Sequence, residues 1–450
     1  MAAEQRMIRH SGFILAVAGA AVGLGNIWRF PYMAGENGGS AFLLFYLLFV
    51  LLLGIPAMAA EILVGRAGRS TPTVSLRALA KQGNGSWAWE KVSLIGMLAA
   101  LMVLSFYSVV AGWGGYYLTQ TLSGGLDFQN AQQLGSFFDS FLAKPHLLIL
   151  FHSLFLIITL SINGQPVAKG LERLNAFLMP LLYGLLIVLV IYGSGFPGFS
   201  HAIDYLFSPD WQNINMGVLI EAMGHAFFTL AVGACCLMAY GAYMPAKQSI
   251  LGAVFIVVIL DLIVSLLAGV ATFTIVFSDG LDPASGPGLI FITLPKALNA
   301  MPYGDIVLPL FFILFVIATW TSSVNLAEPL VASTATRLGV GRGMASVVVG
   351  FVVWCLGLIP ALSFNLWSGV SIAGHGLFDL WTGFATNILL PVTALLILVF
   401  VGWVVPWGTV AEQLGFKTNN GGTMEGMFRL LFRFIAPGMV LTIFVFGLLS

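Results

Sequence analysis

The chain has 450 residues with 59% apolar and 8% charged, a formal net charge of zero and a mean hydropathy of +0.98. So little charge cannot cover the surface of a water-soluble domain, and no basic cluster is present that would bind nucleic acid. The three cysteines, Cys235, Cys236 and Cys355, lie inside apolar stretches, and an adjacent pair is poorly placed to bridge, so no disulfide framework is expected. No cleavable leader is expected either: the first apolar stretch lacks a small-residue cleavage site before soluble sequence, and another span follows at once.

Crossing the hydrocarbon of a bilayer takes about 20 apolar residues per helix. Apolar runs between polar turns predict eleven spans, numbered in order over 11–33, 40–65, 92–121, 146–163, 172–194, 216–243, 249–277, 304–336, 344–363, 384–405 and 428–449. The third and eighth are long enough to tilt or overrun the bilayer. Basic residues set the orientation. Arg6 and Arg9 precede span 1, and Arg66, Arg69, Arg77, Lys81 and Lys91 separate spans 2 and 3. Lys169, Arg173, Lys247, Arg337, Arg342, Lys417, Arg429 and Arg433 flank the later even-to-odd turns, whereas the opposite side has only Lys144 and Lys296 among acids such as Asp127, Asp139, Asp210 and Asp282. This predicts an inner-membrane protein with its N-terminus cytoplasmic and its C-terminus external.

Span 1 contains Gly19-Ala20-Ala21-Val22-Gly23-Leu24-Gly25-Asn26, and span 6 contains Phe228-Thr229-Leu230-Ala231-Val232-Gly233-Ala234-Cys235. Glycine inside a helix costs about 1 kcal/mol against alanine, so three glycines and an asparagine at mid-membrane depth suggest a break. Freed backbone groups are tolerated in a membrane only where they line a site. Breaks at matching places in two halves point to an inverted-repeat transporter with a midplane site; close helix packing through small residues is the alternative. Arg29 lies near the outer end of span 1 and Asp379 near that of span 10, where a pair would close a vestibule, although Arg29 alone can snorkel to the interface.

In span 7, Asp261 stands in the apolar run Val257 to Val264, with Ser265 one turn on. An ionisable group there needs a partner. With Thr229 and Asn26 it would form an oxygen cage of the kind hard cations such as sodium prefer; a protonated aspartic acid, or a pair with His225, is the alternative. Span 8 carries Ala318-Thr319-Trp320-Thr321-Ser322-Ser323, hydroxyls that in isolation usually bond back to their own helix.

The run Gly19 to Pro31, followed by Glu36-Asn37-Gly38-Gly39, closely resembles the neurotransmitter:sodium symporter family, as do FFTLAVG in span 6, TSS in span 8 and KGLERLNAFLMP in span 5. The likeness extends over essentially the whole chain, and eleven spans look like bacterial members. It implies an all-α membrane protein with a leucine-transporter-like fold. Helices 1 and 6 would be broken, the single transporter domain 1–450 would hold inverted repeats over 8–194 and 216–405, and 428–449 would add a further helix.

It also implies two sodium sites. The first would use Ala21, Asn26, Thr229, Asp261 and the substrate carboxylate; the second Gly19, Val22, Ala318, Thr321 and Ser322. The substrate would meet Ala20, Ala21, Leu24, Gly25, Val103, Tyr107, Phe228, Thr229, Ala231, Ala234, Ser322 and Leu326, with Cys235 beside them. Tyr107 matches the tyrosine that bonds the substrate carboxylate, Phe228 the aromatic lid, and Arg29 with Asp379 the outer gate. Gly170 and Pro180 resemble the span 5 motif whose unwinding opens a water path to the second sodium.

Departures from the family pattern carry further expectations. Asp261 replaces an asparagine, and a fixed carboxylate would do the work of chloride, so transport is expected to be chloride-independent. His225 replaces a glutamine and is expected near Asp261 or Ser265. The usual inner-gate residues fall at Glu4, Met7 and Thr336, leaving a reversed Glu4–Arg337 pair, or Arg6 and Arg9, for that role. Gly23 stands where amine transporters hold aspartate, which suits a substrate that brings its own carboxylate. The small apolar side-chain pocket points to large apolar or aromatic amino acids, with a broad range because single methylenes discriminate by only about 1–3 kcal/mol. Proton coupling through Asp261, or a non-concentrative sensor or channel on the same scaffold, are the competing readings. An enzyme is not expected, since the six histidines show no metal spacing and no nucleophile motif is present.

Overall fold

The structure is a computed structural model that describes residues 10–126, 128, 131–208, 214–284, 286–372, 374–416 and 422–449. Glu4, Arg6, Met7, Arg9, Asp127, Asp210 and Lys417 fall outside the described residues. Among the described residues, nine unbroken helices are long and apolar enough to cross a bilayer. They are Ser40–Gly68, Trp87–Leu122, Pro145–Asn163, Leu171–Gly193, Ile250–Ser278, Gly304–Leu338, Arg342–Leu362, Leu377–Val404 and Thr423–Phe446, corresponding to spans 2–5 and 7–11.

The two remaining spans are interrupted. Span 1 is the pair Ser11–Ala21 and Gly25–Glu36, bent by 48° at the break. Span 6 consists of Met216–Thr229 and Cys236–Tyr243, each too short to cross alone. Counting each interrupted pair as one crossing agrees with the eleven spans expected. Span 8, at 35 residues, is about 52 Å long at 1.5 Å per residue, so it overruns the hydrocarbon of about 30 Å.

Apolar runs of about 20 residues explain why these stretches are helical: a segment of that length in hydrocarbon satisfies its backbone polar groups within itself as a helix. Polar residues fix the ends. Asn215 Oδ1 accepts from Val218 N (3.1 Å) to start span 6, and Ser249 Oγ accepts from Gly252 N (3.1 Å) to start span 7. Short helices between the spans, such as Ala131–Leu142 and Thr293–Ala300, press a few apolar residues onto the bundle. An antiparallel two-stranded ribbon pairs Ser371–Ile372 with His375–Gly376 just before span 10.

Spans 3 and 8 form the most extensive helix–helix interface and are the most deeply buried of the unbroken spans; spans 4, 5 and 11 are the least. The second half of span 6 packs along the end of span 2, and the first half of span 1 lies against spans 5, 7 and 8. Both breaks are thereby held inside a frame of continuous helices.

Candidate functional site

Each break releases backbone groups, and three of the freed amides find side-chain partners. In span 1 the Gly23 amide donates to Asn26 Oδ1 (2.8 Å) and the Leu24 amide to the Tyr107 hydroxyl (2.9 Å). In span 6 the chain passes through positive φ at Ala231 (51°), Gly233 (92°) and Cys235 (60°). Two of these are not glycine, and such strain persists only where the surroundings enforce it. The Gly233 amide donates to the carboxylate of Glu61 on span 2. A Cβ at Gly233 would stand 2.3 Å from Leu390 O, so this turn admits only glycine.

Asn26, fully buried, is the centre of the first cluster of oxygens. Its Nδ2 donates to Asp261 Oδ1 (2.7 Å), Asp261 O (3.2 Å), Ser265 Oγ (2.9 Å) and Thr229 Oγ1 (3.1 Å). Thr229 in turn donates to both Asp261 carboxylate oxygens, at 3.2 and 3.3 Å. Two amide hydrogens cannot serve four acceptors. An excess of oxygen lone pairs, one carboxylate among them, is the donor set a hard cation completes, so these residues fit sodium. Turning the Asn26 amide over would give the cluster a further oxygen at the expense of the acceptor that now serves the Gly23 amide.

The hydroxyl run of span 8 divides by direction. Thr319 and Ser323 bond back to their own helix, at Val316 O (2.9 Å) and Thr319 O (2.8 Å). Ser322 instead donates across to span 1, at Val22 O (2.9 Å) and Gly19 O (3.2 Å). Thr321 reaches both Ala318 O (2.9 Å) and Val22 O (3.4 Å). Three carbonyls and two hydroxyls thus converge where span 1 unwinds, a second all-oxygen set without a formal charge.

Between the two clusters lies one cavity. All twelve residues expected around the substrate line it, and Gly23 and Leu390 complete the wall. Phe228 roofs it, with the Arg29 guanidinium over the ring at 4.5 Å. The cavity is narrow, about 40 Å³ against about 340 Å³ for a vestibule beyond Phe228. Arg29 and Asp379 both line that vestibule. The expected Arg29–Asp379 ion pair is not formed: the ion pairs of the described residues are Arg77–Glu90, Lys296–Asp279 and Arg342–Glu328. The vestibule separates the two groups, and the guanidinium is taken up by the Phe228 face.

One further expectation needs correcting. His225 does not pair with Asp261 or Ser265. It sits among Phe30, Phe42 and Tyr46, with ring centroids at 5.9, 5.7 and 5.0 Å, and neither nitrogen has a hydrogen-bond partner. Tyr46 intervenes, its hydroxyl 3.3 Å from Asp261 Oδ2 and 3.4 Å from Ser265 Oγ. Arg337, expected at an inner gate, donates to Thr73 (3.2 Å), and its expected partner Glu4 lies outside the described residues.

A different ion pair borders the large cavity at the opposite end of the bundle, of about 550 Å³. Arg342 grips the fully buried Glu328 with both Nη atoms (3.0 and 2.6 Å), and Tyr243 donates to the same carboxylate (2.8 Å). Glu61 and Glu328 were missed in the sequence, although an acid inside an apolar run is itself a signal. Tyr46 carried a weaker one, a hydroxyl that needs a partner wherever the ring is buried.

Comparison with known proteins agrees with this geometry. A profile described as the sodium:neurotransmitter symporter family matches residues 5–137 and 143–450. The sodium-dependent transporter YhdH of Bacillus subtilis is 34% identical over 441 residues, covering 98% of this chain and 97% of the relative. A sodium-dependent transporter of Haemophilus influenzae is 31% identical over 443 residues, covering 97% and 96%. Among solved structures, the crystal structure of MhsT in complex with L-phenylalanine superposes with a TM-score of 0.89 at 38% identity, covering 98% of this chain and 99% of MhsT. The chain therefore belongs to the sodium:neurotransmitter symporter family, as a multi-pass membrane transporter coupled to sodium.

Proposed function

We propose that this protein imports large apolar or aromatic amino acids across the cytoplasmic membrane, driven by two sodium ions and independent of chloride. The observation that carries the reading is the placement of one apolar cavity between two oxygen clusters that share the backbone breaks of spans 1 and 6. In this reading the two breaks open matching halves, over 8–194 and 216–405, with the final helix outside the repeat. The L-phenylalanine bound by MhsT supports the substrate class.

The substrate carboxylate lies against Gly25 and the Tyr107 hydroxyl, where it also faces the first cluster. A sodium ion held by Ala21 O, Asn26, Thr229 and Asp261 then shares that carboxylate, so ion and substrate each raise the other's affinity. Ala20, Val103, Ala231, Ala234 and Leu326 receive the side chain and offer no charge to a polar one. The second ion, on the carbonyls of Gly19, Val22 and Ala318 with Thr321 and Ser322, ties span 1 to span 8. Asp261 supplies the negative charge that an anion would otherwise bring.

From the outside, substrate enters through the vestibule; Phe228 closes over it, and Arg29 meets Asp379 as the vestibule collapses. Release follows when span 5 unwinds between Gly170 and Pro180 and water reaches the second ion.

Uptake into proteoliposomes with an inward sodium gradient tests the proposal. Tritiated tryptophan, phenylalanine and leucine are expected to accumulate above the bath, alanine less, and glutamate hardly at all, with gluconate in place of chloride making no difference. A preference for glutamate or glycine, accumulation without sodium, or full loss of uptake in gluconate would sink it. Sodium titration at fixed pH separates it from proton coupling.

A further inference from the structure

Spans 3 and 8 pack closely along most of their length, but where span 3 begins and span 8 ends they part. The groove between them holds about 240 Å³, and Leu94, Leu98, Leu101, Leu330, Ser333 and Arg337 lie along it. Leu94 and Leu98 are 42% and 44% exposed, so it opens on the lipid-facing side of the bundle. On span 3 the leucines recur at i, i+4 and i+7, one continuous face. The span 3 side of the groove is therefore apolar along its length, and its polar groups, Ser333, Thr334 and Arg337, all come from the end of span 8.

That end is basic. Arg337 Nη2 donates to Thr73 Oγ1 (3.2 Å), and Thr73 is joined to Ser93 (2.8 Å) at the start of span 3. Lys91 lies over the ring of Trp87 at 4.6 Å. Trp87 is 65% exposed, the position of an indole anchored at a membrane–water interface. Glu90 is paired with Arg77 and lies within electrostatic reach of both Lys91 and Arg337. Three cations thus face one carboxylate, leaving the mouth positive.

A second polar group stands deeper in the groove. Ser333, one turn below Arg337 on span 8, is 4% exposed, and its hydroxyl has no hydrogen-bond partner. A buried hydroxyl left unpaired costs about 1–3 kcal/mol. From the mouth inward span 8 offers a cation, then a hydroxyl about 6 Å deeper by helical rise, while the leucines run from Leu94 beside the mouth to Leu101 and Leu330 beyond the hydroxyl. A phospholipid presents phosphate, ester carbonyl and acyl chain in that same order.

We infer that the groove binds one anionic phospholipid. Its phosphate pairs with Arg337 and Lys91, an ester carbonyl accepts from Ser333, and one acyl chain lies along Leu94, Leu98, Leu101 and Leu330. A zwitterionic lipid fits the apolar part equally but carries a cation of its own to the basic mouth. With the orientation proposed above, the mouth faces the cytoplasmic leaflet.

Native mass spectrometry of the full chain, purified in detergent and offered dioleoyl phosphatidylglycerol or dioleoyl phosphatidylcholine at equal mole fraction, tests the site. One phosphatidylglycerol is expected to be retained in preference to phosphatidylcholine. Retention is expected to weaken about fivefold in Arg337→Gln, the effect of one basic side chain at an anionic surface, and to be kept in Arg337→Lys. Leu98→Trp, which fills the groove without touching the charges, is expected to abolish it, with thermal melting showing that each variant is folded. Glycerol 1-phosphate, a headgroup without a chain, is expected to leave the lipid bound. Equal retention of the two lipids, an unchanged adduct in Arg337→Gln or in Leu98→Trp, or displacement by glycerol 1-phosphate overturns the inference.

Discussion

Two glycines in the break of span 1 differ in what they forbid. A methyl group at Gly23 would stand 2.1 Å from Ser322 Oγ and 2.6 Å from the Tyr107 hydroxyl, whereas one at Gly25 would meet Thr229 and Phe228 at 3.5 and 3.6 Å, ordinary contact. Gly23→Ala is therefore expected to displace Ser322 and Tyr107 and abolish both sodium-dependent binding and uptake. Gly25→Ala is expected to fold with unchanged melting but to bind substrate at least tenfold more weakly, because its methyl takes the place of the carboxylate. Scintillation proximity binding alongside a thermal melt separates the two outcomes.

At Asp261 the question is charge. Asp261→Asn keeps the shape of the first cluster and removes its one carboxylate; sodium affinity, measured by titrating substrate binding, is expected to fall tenfold or more. An unchanged sodium dependence would show that Asp261 does not face the ion. Single residues such as Asn26, Thr229 and Asp261 were legible in the sequence because polar groups in an apolar run need partners. Their meeting with Ser265 was expected too, but the place of Tyr46 beside them was not, since it depends on how span 2 crosses spans 1, 6 and 7. His225 shows the limit: its place in the chain said nothing of the aromatic rings that enclose it.

At the scale of the element, the breaks themselves were readable. Glycine, asparagine and small residues at mid-span depth marked both, and the structure bends span 1 by 48° and unwinds span 6 over residues 230–235. What supports the second break was hidden. Glu61 reaches from span 2 to the Gly233 amide, a contact across 172 residues that no local pattern encodes. Glu61→Ala is expected to leave that amide unsatisfied in a buried place, a cost of about 1–3 kcal/mol; a lower melting temperature together with slower uptake would be measured. Glu61→Gln, which keeps an acceptor oxygen, is expected to recover most of both. Span 10 was placed too late: its helix starts at Leu377, which puts Asp379 in the first turn of the helix. The amphipathic helix Ala131–Leu142 escaped notice because short connecting segments of mixed composition resemble loops.

At the scale of the molecule, hydropathy and the family resemblance together anticipated the architecture, because each crossing must bury a full-length apolar segment. Neither could say that spans 3 and 8 pair so closely, or that spans 4, 5 and 11 stay near the periphery, since lipid and protein interior are equally apolar. Orientation rests on the basic turns and is testable on whole cells. With native cysteines replaced, Ser123→Cys is expected to react with a membrane-impermeant maleimide from outside. Gly341→Cys, where the added side chain meets open space, is expected to react only after permeabilisation. The reverse pattern would invert the topology.

Cys235 and Cys236 sit where the second half of span 6 begins, and both are fully buried. Any rearrangement that wets this turn bares sulfur, which makes the pair a built-in stopwatch on the working cycle. In a Cys355→Ala background, the speed of thiol alkylation under sodium alone, sodium with amino acid, or neither would report how often the turn is exposed, with no foreign label attached.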